Sequence, residues 1–202
     1  MATPPDLDKA NESKAQGVSG DGETRRRLLR GGVIGAPIVL SLASSRVMGA
    51  TNPYGQCQSV SSFGSLNLSR PANTVPCTGR SPGYWKNHPG NWPAGCIATT
   101  AYGTPTTFAS VFGTNPLSAP SGVTLFAVIY EPYATWSTDL SRAVVAAYLN
   151  AKSGKVPLTI LPIATIQAMW TACRSGGLYS VPASSISWTS AQVVSYLQST
   201  YD

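Results

Sequence analysis

The sequence predicts a mainly α fold: a small helical domain preceded by a loop-rich, disulfide-stapled segment. Three observations carry that expectation. Beyond about residue 106, apolar residues recur at helical spacing in one stretch after another. Before that point, breakers dominate in "TNPYG", "SRPANTVPCTGRSPG" and "NHPGNWPAG". Four cysteines, Cys57, Cys77, Cys96 and Cys173, all lie beyond a basic and then apolar front end.

These features divide the chain into a leader over 1–50 and a single mature domain over 51–202. Within the latter, 51–105 reads as coil-rich and 106–202 as helical. No repeat and no linker marks a second folded domain. The hydrophobic share of 43% is enough for a real core.

The elements follow in order. "SVSSFGSLNLS" reads as short extended pieces, with Val60, Leu66 and Leu68 alternating inward. "TTFASVFG" predicts a short helix ended by Gly113, and "GVTLFAVIYEPY" a helix stopped before Pro132, with Leu125, Phe126, Val128 and Ile129 as its apolar residues. The clearest helix is "STDLSRAVVAAYLNAKSG". Ser137 or Thr138 caps it, Asp139 suits the positive end of its dipole, and Gly154 closes it. Leu140, Val144, Ala147, Tyr148 and Leu149 share one broad face. "LTILPIATIQAMWTACR" predicts a helix from Thr159, with Pro162 in its first turn, where a missing N–H costs little. "TSAQVVSYLQSTY" opens with Thr189 and, three residues on, Gln192, a capping-box pattern.

Four cysteines allow three pairings, and spacing does not choose among them. The preferred pattern is Cys57–Cys77, stapling the loop-rich start, and Cys96–Cys173, tying the aromatic segment to a late helix. The competing zinc reading lacks any C-x-x-C or H-x-x-H spacing.

The front end, "TRRRLLRGGVIGAPIVLSLASSRVMGA", runs from basic residues through a short apolar stretch to small residues, the order of an export signal. The apolar run is shorter than the roughly 20 residues of a membrane-spanning helix, so no stable span is expected in the mature form. Thr24, Arg25, Arg26, Arg27, Leu28, Leu29 and Arg30 resemble the motif of bacterial twin-arginine signal peptides. That resemblance implies the export machinery as a partner, with cleavage after Ala43 or Ala50 and a periplasmic or extracellular destination in a bacterium. The twin arginines of the motif are Arg25 and Arg26.

A net charge of +6 invites a nucleic-acid reading, but its distribution opposes one. In the mature part the basic residues stand singly, at Arg70, Arg80, Lys86, Arg142, Lys152, Lys155 and Arg174. A surface that tracks phosphates needs its cations clustered. Nucleic acid is therefore not an expected partner.

Chemistry is scarce as well. Acid–base catalysis needs titratable groups that converge, and the mature chain holds one histidine, His88, with Glu131 and Asp139 as its only internal carboxylates. A Ser–His–Asp arrangement with His88 and Asp139 lacks a G-x-S-x-G elbow. As a glycosidase pair, Glu131 and Asp139 have Pro132 between them, and each has a plainer role at a helix end. No phosphate-cradling loop appears, and nothing calls for a metal or cofactor.

The densest segment is "GYWKNHPGNWP", residues 83–93. One reading is structural: Trp85 and Trp92 fill the core, Gly83, Pro89, Gly90 and Pro93 set turns, Lys86 lies over an aromatic ring and His88 bonds backbone groups. The other is a site for a sugar or small flat ligand, built from Tyr84, Trp85, His88 and Trp92. "CTGRSPGYWKNHPGNWP" resembles the G-Y-W-K-N-H-P-x-x-W-P signature of bacterial secreted proteins without an assigned activity. The likeness extends through "TTFASVFG", "LSRAVVAAYLNAKSG" and "LTILPIATIQAMW", roughly residues 77–172; Pro82 stands where such proteins often carry Gln. It implies export and a common small fold, and it supplies no catalytic residues.

The expected function is that of an exported, non-enzymatic structural, surface-associated or assembly protein, with self-association or a cell-surface partner. The first alternative is a carbohydrate- or small-ligand-binding module using residues 83–93; the second is a hydrolase.

Overall fold

Thr138 starts the helix around which the chain is built, by accepting the amide of Ser141 on its side-chain oxygen at 3.2 Å. A computed structural model of the chain describes residues 56–64 and 75–201. Arg25, Arg26, Ala43 and Ala50, on which the export reading rests, lie outside the described residues, as do Leu66 and Leu68.

In order, the described elements are β1 (Gln56–Cys57), α1 (Val60–Gly64), β2 (Val75–Pro76), α2 (Pro82–Asn87), α3 (Phe108–Phe112), α4 (Leu125–Tyr130), α5 (Asp139–Lys152), α6 (Ile163–Cys173), β3 (Tyr179–Ser180), β4 (Ser187–Trp188) and α7 (Ser190–Gln198). The mainly helical expectation holds. β1 and β2 pair antiparallel, as do β3 and β4.

α5 is the hub. It packs against α2, α4, α6 and α7, so it is buried on more than the one face its spacing predicts. Ala143, Ala146, Ala147 and Ala151 are buried beside Leu140, Val144, Val145 and Leu149. Alanine at these positions lets the surrounding helices approach closely, and a helix apolar on most sides belongs inside.

Threonine organises the rest. Thr107, Thr124 and Thr189 cap α3, α4 and α7 with their side chains. Thr107 and Thr124 also form an antiparallel bridge, so α3 and α4 start from one shared point. The capping box of Thr189 and Gln192 is present as predicted. Gly113 ends α3 with φ of 76°, a left-handed conformation that suits glycine. Two aromatic clusters fill the core: Phe108, Phe112 and Trp170 between α3 and α6, and Phe63, Trp188 and Tyr196 between α1, β4 and α7.

The structure corrects four expectations. Residues 60–64 form a helix, not a strand: Ser59 accepts the Phe63 amide with its carbonyl and the Ser62 amide with its hydroxyl. The signature, placed in coil, contains helix α2, with Ser81 as N-cap and Pro82 in the first turn. α6 begins at Ile163 instead of Thr159; Pro162 is extended (ψ 146°) because Pro157–Leu161 close a separate turn before it. Finally, Cys57 and Cys77 are bridged as expected, with Cα atoms 4.9 Å apart, but Cys96 and Cys173 are free and buried. Cys96 sits against Tyr148, and the Cys173 thiol donates to the Trp188 carbonyl at 3.8 Å. Each sulfur has its own partner in a different part of the core.

Among the described residues, no helix is long and apolar enough to cross a membrane.

Candidate functional site

The signature segment is positioned from both of its sides. On its inner side, α2 turns Trp85 into the core, where the residue is 1% exposed. Its indole N–H donates to Asn150 Oδ1 on α5 at 3.1 Å. The same oxygen accepts the Arg80 amide at 2.8 Å, and Asn150 Nδ2 returns a bond to the Arg80 carbonyl at 3.0 Å. One buried amide thus holds the chain just ahead of α2 and the indole within it. Sequence reasoning passed over Asn150; the only signal was a lone amide in an Ala- and Val-rich helix.

On the outer side, His88 stacks on Tyr84 with ring centres 4.3 Å apart and planes at 19°. Its Nδ1 lies 2.8 Å from the Tyr84 carbonyl. A carbonyl only accepts, so this contact places the proton on Nδ1. The Arg80 guanidinium lies 5.3 Å from the Tyr84 ring centre, and Asn91 donates to the Tyr84 hydroxyl at 3.3 Å. Trp92, half-buried, returns its indole N–H to the Trp85 carbonyl at 3.1 Å. Of the four residues proposed to bind a ligand, Tyr84 and His88 therefore come together at the surface, Trp92 flanks them, and Trp85 points the other way. With so little of it exposed, Trp85 has no face to offer a ligand.

A second surface adjoins the first. Trp92 leans on Phe126 at 6.1 Å, and Phe126 stacks on Tyr130 one turn later along α4, at 5.3 Å and 23°. The Lys86 ammonium lies 5.0 Å from the Tyr130 ring centre, which realises the expected lysine–aromatic contact. Where α4 ends, Lys86, Tyr130, Glu131, Pro132, Tyr133 and Ala134 line an open cleft of about 540 Å³. The tyrosines of this cleft had no role in the sequence reading. The signal available was the aromatic, Pro-punctuated run "IYEPYATW" directly after a predicted helix.

The carboxylates are engaged elsewhere than at His88. Asp139 pairs with Arg142, and Glu131 lines the cleft. Among the described residues, no three His, Cys, Asp or Glu side chains gather closely enough to hold a metal ion. Burial pushes the thiols of Cys96 and Cys173 above the ordinary cysteine value; for Cys96, the Tyr148 bond and the Lys152 charge oppose that rise. The Tyr148 hydroxyl is pushed up to about 12, first by burial and then by the neighbouring Cys96.

No family model, curated protein or solved structure matches this chain.

Proposed function

We propose that the chain is an exported bacterial protein that works by surface contact, as a structural, surface-associated or assembly component, and that it turns over no substrate. The observation that carries this reading is how the signature uses its polar atoms. The indole of Trp85 is committed to Asn150, the indole of Trp92 to Trp85 and the imidazole of His88 to Tyr84. Indoles do not titrate, so both tryptophans serve as structural donors; His88 keeps only its second ring nitrogen for acid–base work, and Asp139 is paired with Arg142 instead of with the imidazole. The twin-arginine-like leader and the Cys57–Cys77 bridge support an oxidising destination outside the cytoplasm.

The test is expression of the full chain in a bacterium with twin-arginine export, followed by fractionation and mass spectrometry with and without reductant. The expected product is an extracytoplasmic chain starting after Ala43 or Ala50 and two hydrogens heavier on reduction, while Arg25→Lys with Arg26→Lys retains the precursor inside. Full-length protein in the cytoplasm of wild-type cells overturns the export reading. Cross-linking of intact cells addresses the contact role: the expected result is adducts that persist in His88→Ala.

A further inference from the structure

We propose that the cleft at the end of α4 binds a neutral, β-linked pyranose glycan, with Tyr133 as its stacking platform. This deepens the surface-contact reading and rests on it.

Tyr133 is 98% exposed and Tyr130 is 53% exposed. Both line the same cleft, and large aromatic residues exposed around one cleft contrast with their usual place in cores or interfaces. The segment that carries them is held firmly. Ala134 donates to the Glu131 carbonyl at 3.1 Å and Ser137 to the Ala134 carbonyl at 2.9 Å. The buried Ser137 hydroxyl donates to the Val128 carbonyl at 2.6 Å, and Arg142 reaches the Pro132 carbonyl at 3.3 Å. Tyr130 meets both Phe126 and Lys86. With the backbone around Tyr133 held in this way, the ordering left for a partner to impose is chiefly that of the tyrosine side chain.

The polar groups select the partner. The cleft carries one cation, Lys86, and one anion, Glu131, so its charge is balanced and it favours neither a polyanion nor a polycation. Together with the tyrosine hydroxyls they supply donors and acceptors around an aromatic face, the mixture that a polyol uses. A pyranose with equatorial hydroxyls presents C–H groups on both ring faces for stacking and directs its hydroxyls to the rim. β-linked chains repeat that shape, and the volume of the cleft lies within the usual range for ligand sites.

The test is isothermal titration of the purified exported protein with cellotetraose and, separately, chitotetraose. Saturable binding of either is expected, weakened at least about tenfold by Tyr133→Ala. Glu131→Gln should weaken it about threefold. Tyr133 is so exposed that its removal should leave the melting temperature unchanged, which separates lost contact from lost fold. Absence of saturable binding to both probes overturns the proposal, as does binding that Tyr133→Ala leaves intact. If Tyr133→Ala alters only sedimentation, the face joins two copies of this chain and the glycan assignment falls. Export is read independently by fractionation, so failure here is distinct from failure of the surface-contact reading.

Discussion

Trp85 and Asn150, 65 residues apart in sequence, are joined by a buried hydrogen bond of 3.1 Å, and this pair fastens the signature segment to the central helix. Asn150 also satisfies both backbone groups of Arg80. Asn150→Ala strips partners from three polar groups at once. Each group left unpaired out of reach of water costs about 1–3 kcal/mol. Because Arg80 is only partly buried and water can compensate there, a total loss of about 3–5 kcal/mol is expected. Urea denaturation checks it: a loss below about 1 kcal/mol would show that the amide does not fasten the segment.

The two tryptophans of the signature should separate cleanly on mutation. Trp85 is fully buried, so Trp85→Ala should cost about 3–5 kcal/mol. Trp92 is half-buried and packs on Phe126 near the surface, so Trp92→Ala should cost about half as much. Thermal melts of both variants measure the difference. Equal losses would contradict the inward and outward assignment.

Much of this architecture is legible locally. Thr138, Thr189 with Gln192, and Gly113 announce their helix ends because capping is decided within one turn of chain. What escaped depends on distant partners. Val60, Leu66 and Leu68 share the parity of a strand, yet residues 60–64 fold as a helix whose Phe63 packs on Trp188 and Tyr196. Helix α2 did leave a local trace in Ser81–Pro82, an N-cap followed by a first-turn proline, masked by the surrounding breakers. Cys96 and Cys173 form an even set with the other cysteines, but whether two sulfurs meet is a tertiary fact. The candidate cleft was hardest to see, since an exposed tyrosine and a buried one look alike in sequence.

The cysteines should report their burial. In the native protein, Cys96 and Cys173 should resist a bulky disulfide reagent, and unfolding without reductant should release these two thiols. Reducing the Cys57–Cys77 bridge, whose cysteines are 20 residues apart, should cost about 3 kcal/mol by freeing the unfolded chain. Thiol titration before and after denaturation checks both. Four reactive thiols in unreduced, unfolded protein would remove the bridge from the fold.

Alkaline pH should destabilise the protein through the hydroxyls of half-buried Tyr148 and buried Tyr196. Tyr148 rises from 10.0 to about 12, and burial raises Tyr196 as well. A raised value means that the folded state keeps its proton where the unfolded state has lost it. The associated stability is full below the unfolded value of 10.0 and drains as pH climbs toward 12. Melting temperature should therefore fall steeply across that interval, and Tyr148→Phe should flatten part of the fall. A melting temperature that stays level through this window would mean that both hydroxyls are hydrated in solution.

Two glycines near the signature should behave oppositely. A Cβ on Gly79 would lie 2.3 Å from the Thr200 carbonyl oxygen, where Gly79 bridges Tyr201 and brings the chain end alongside. The carbonyl is backbone and a Cβ is fixed by the backbone that bears it, so neither side can yield without moving the chain. Gly79→Ala should therefore cost at least about 1–3 kcal/mol, as other overpacked sites do. Gly83 lies inside α2, and the nearest atom to its Cβ would be Ser81 Oγ at 3.7 Å, an ordinary contact. Alanine there should stabilise the helix by about 0.5–1 kcal/mol through its better propensity. Melts of the two variants should shift in opposite directions. A destabilised Gly83→Ala would mean that this glycine serves a contact beyond the helix, and the exposed side of the signature would then be the place to look for it.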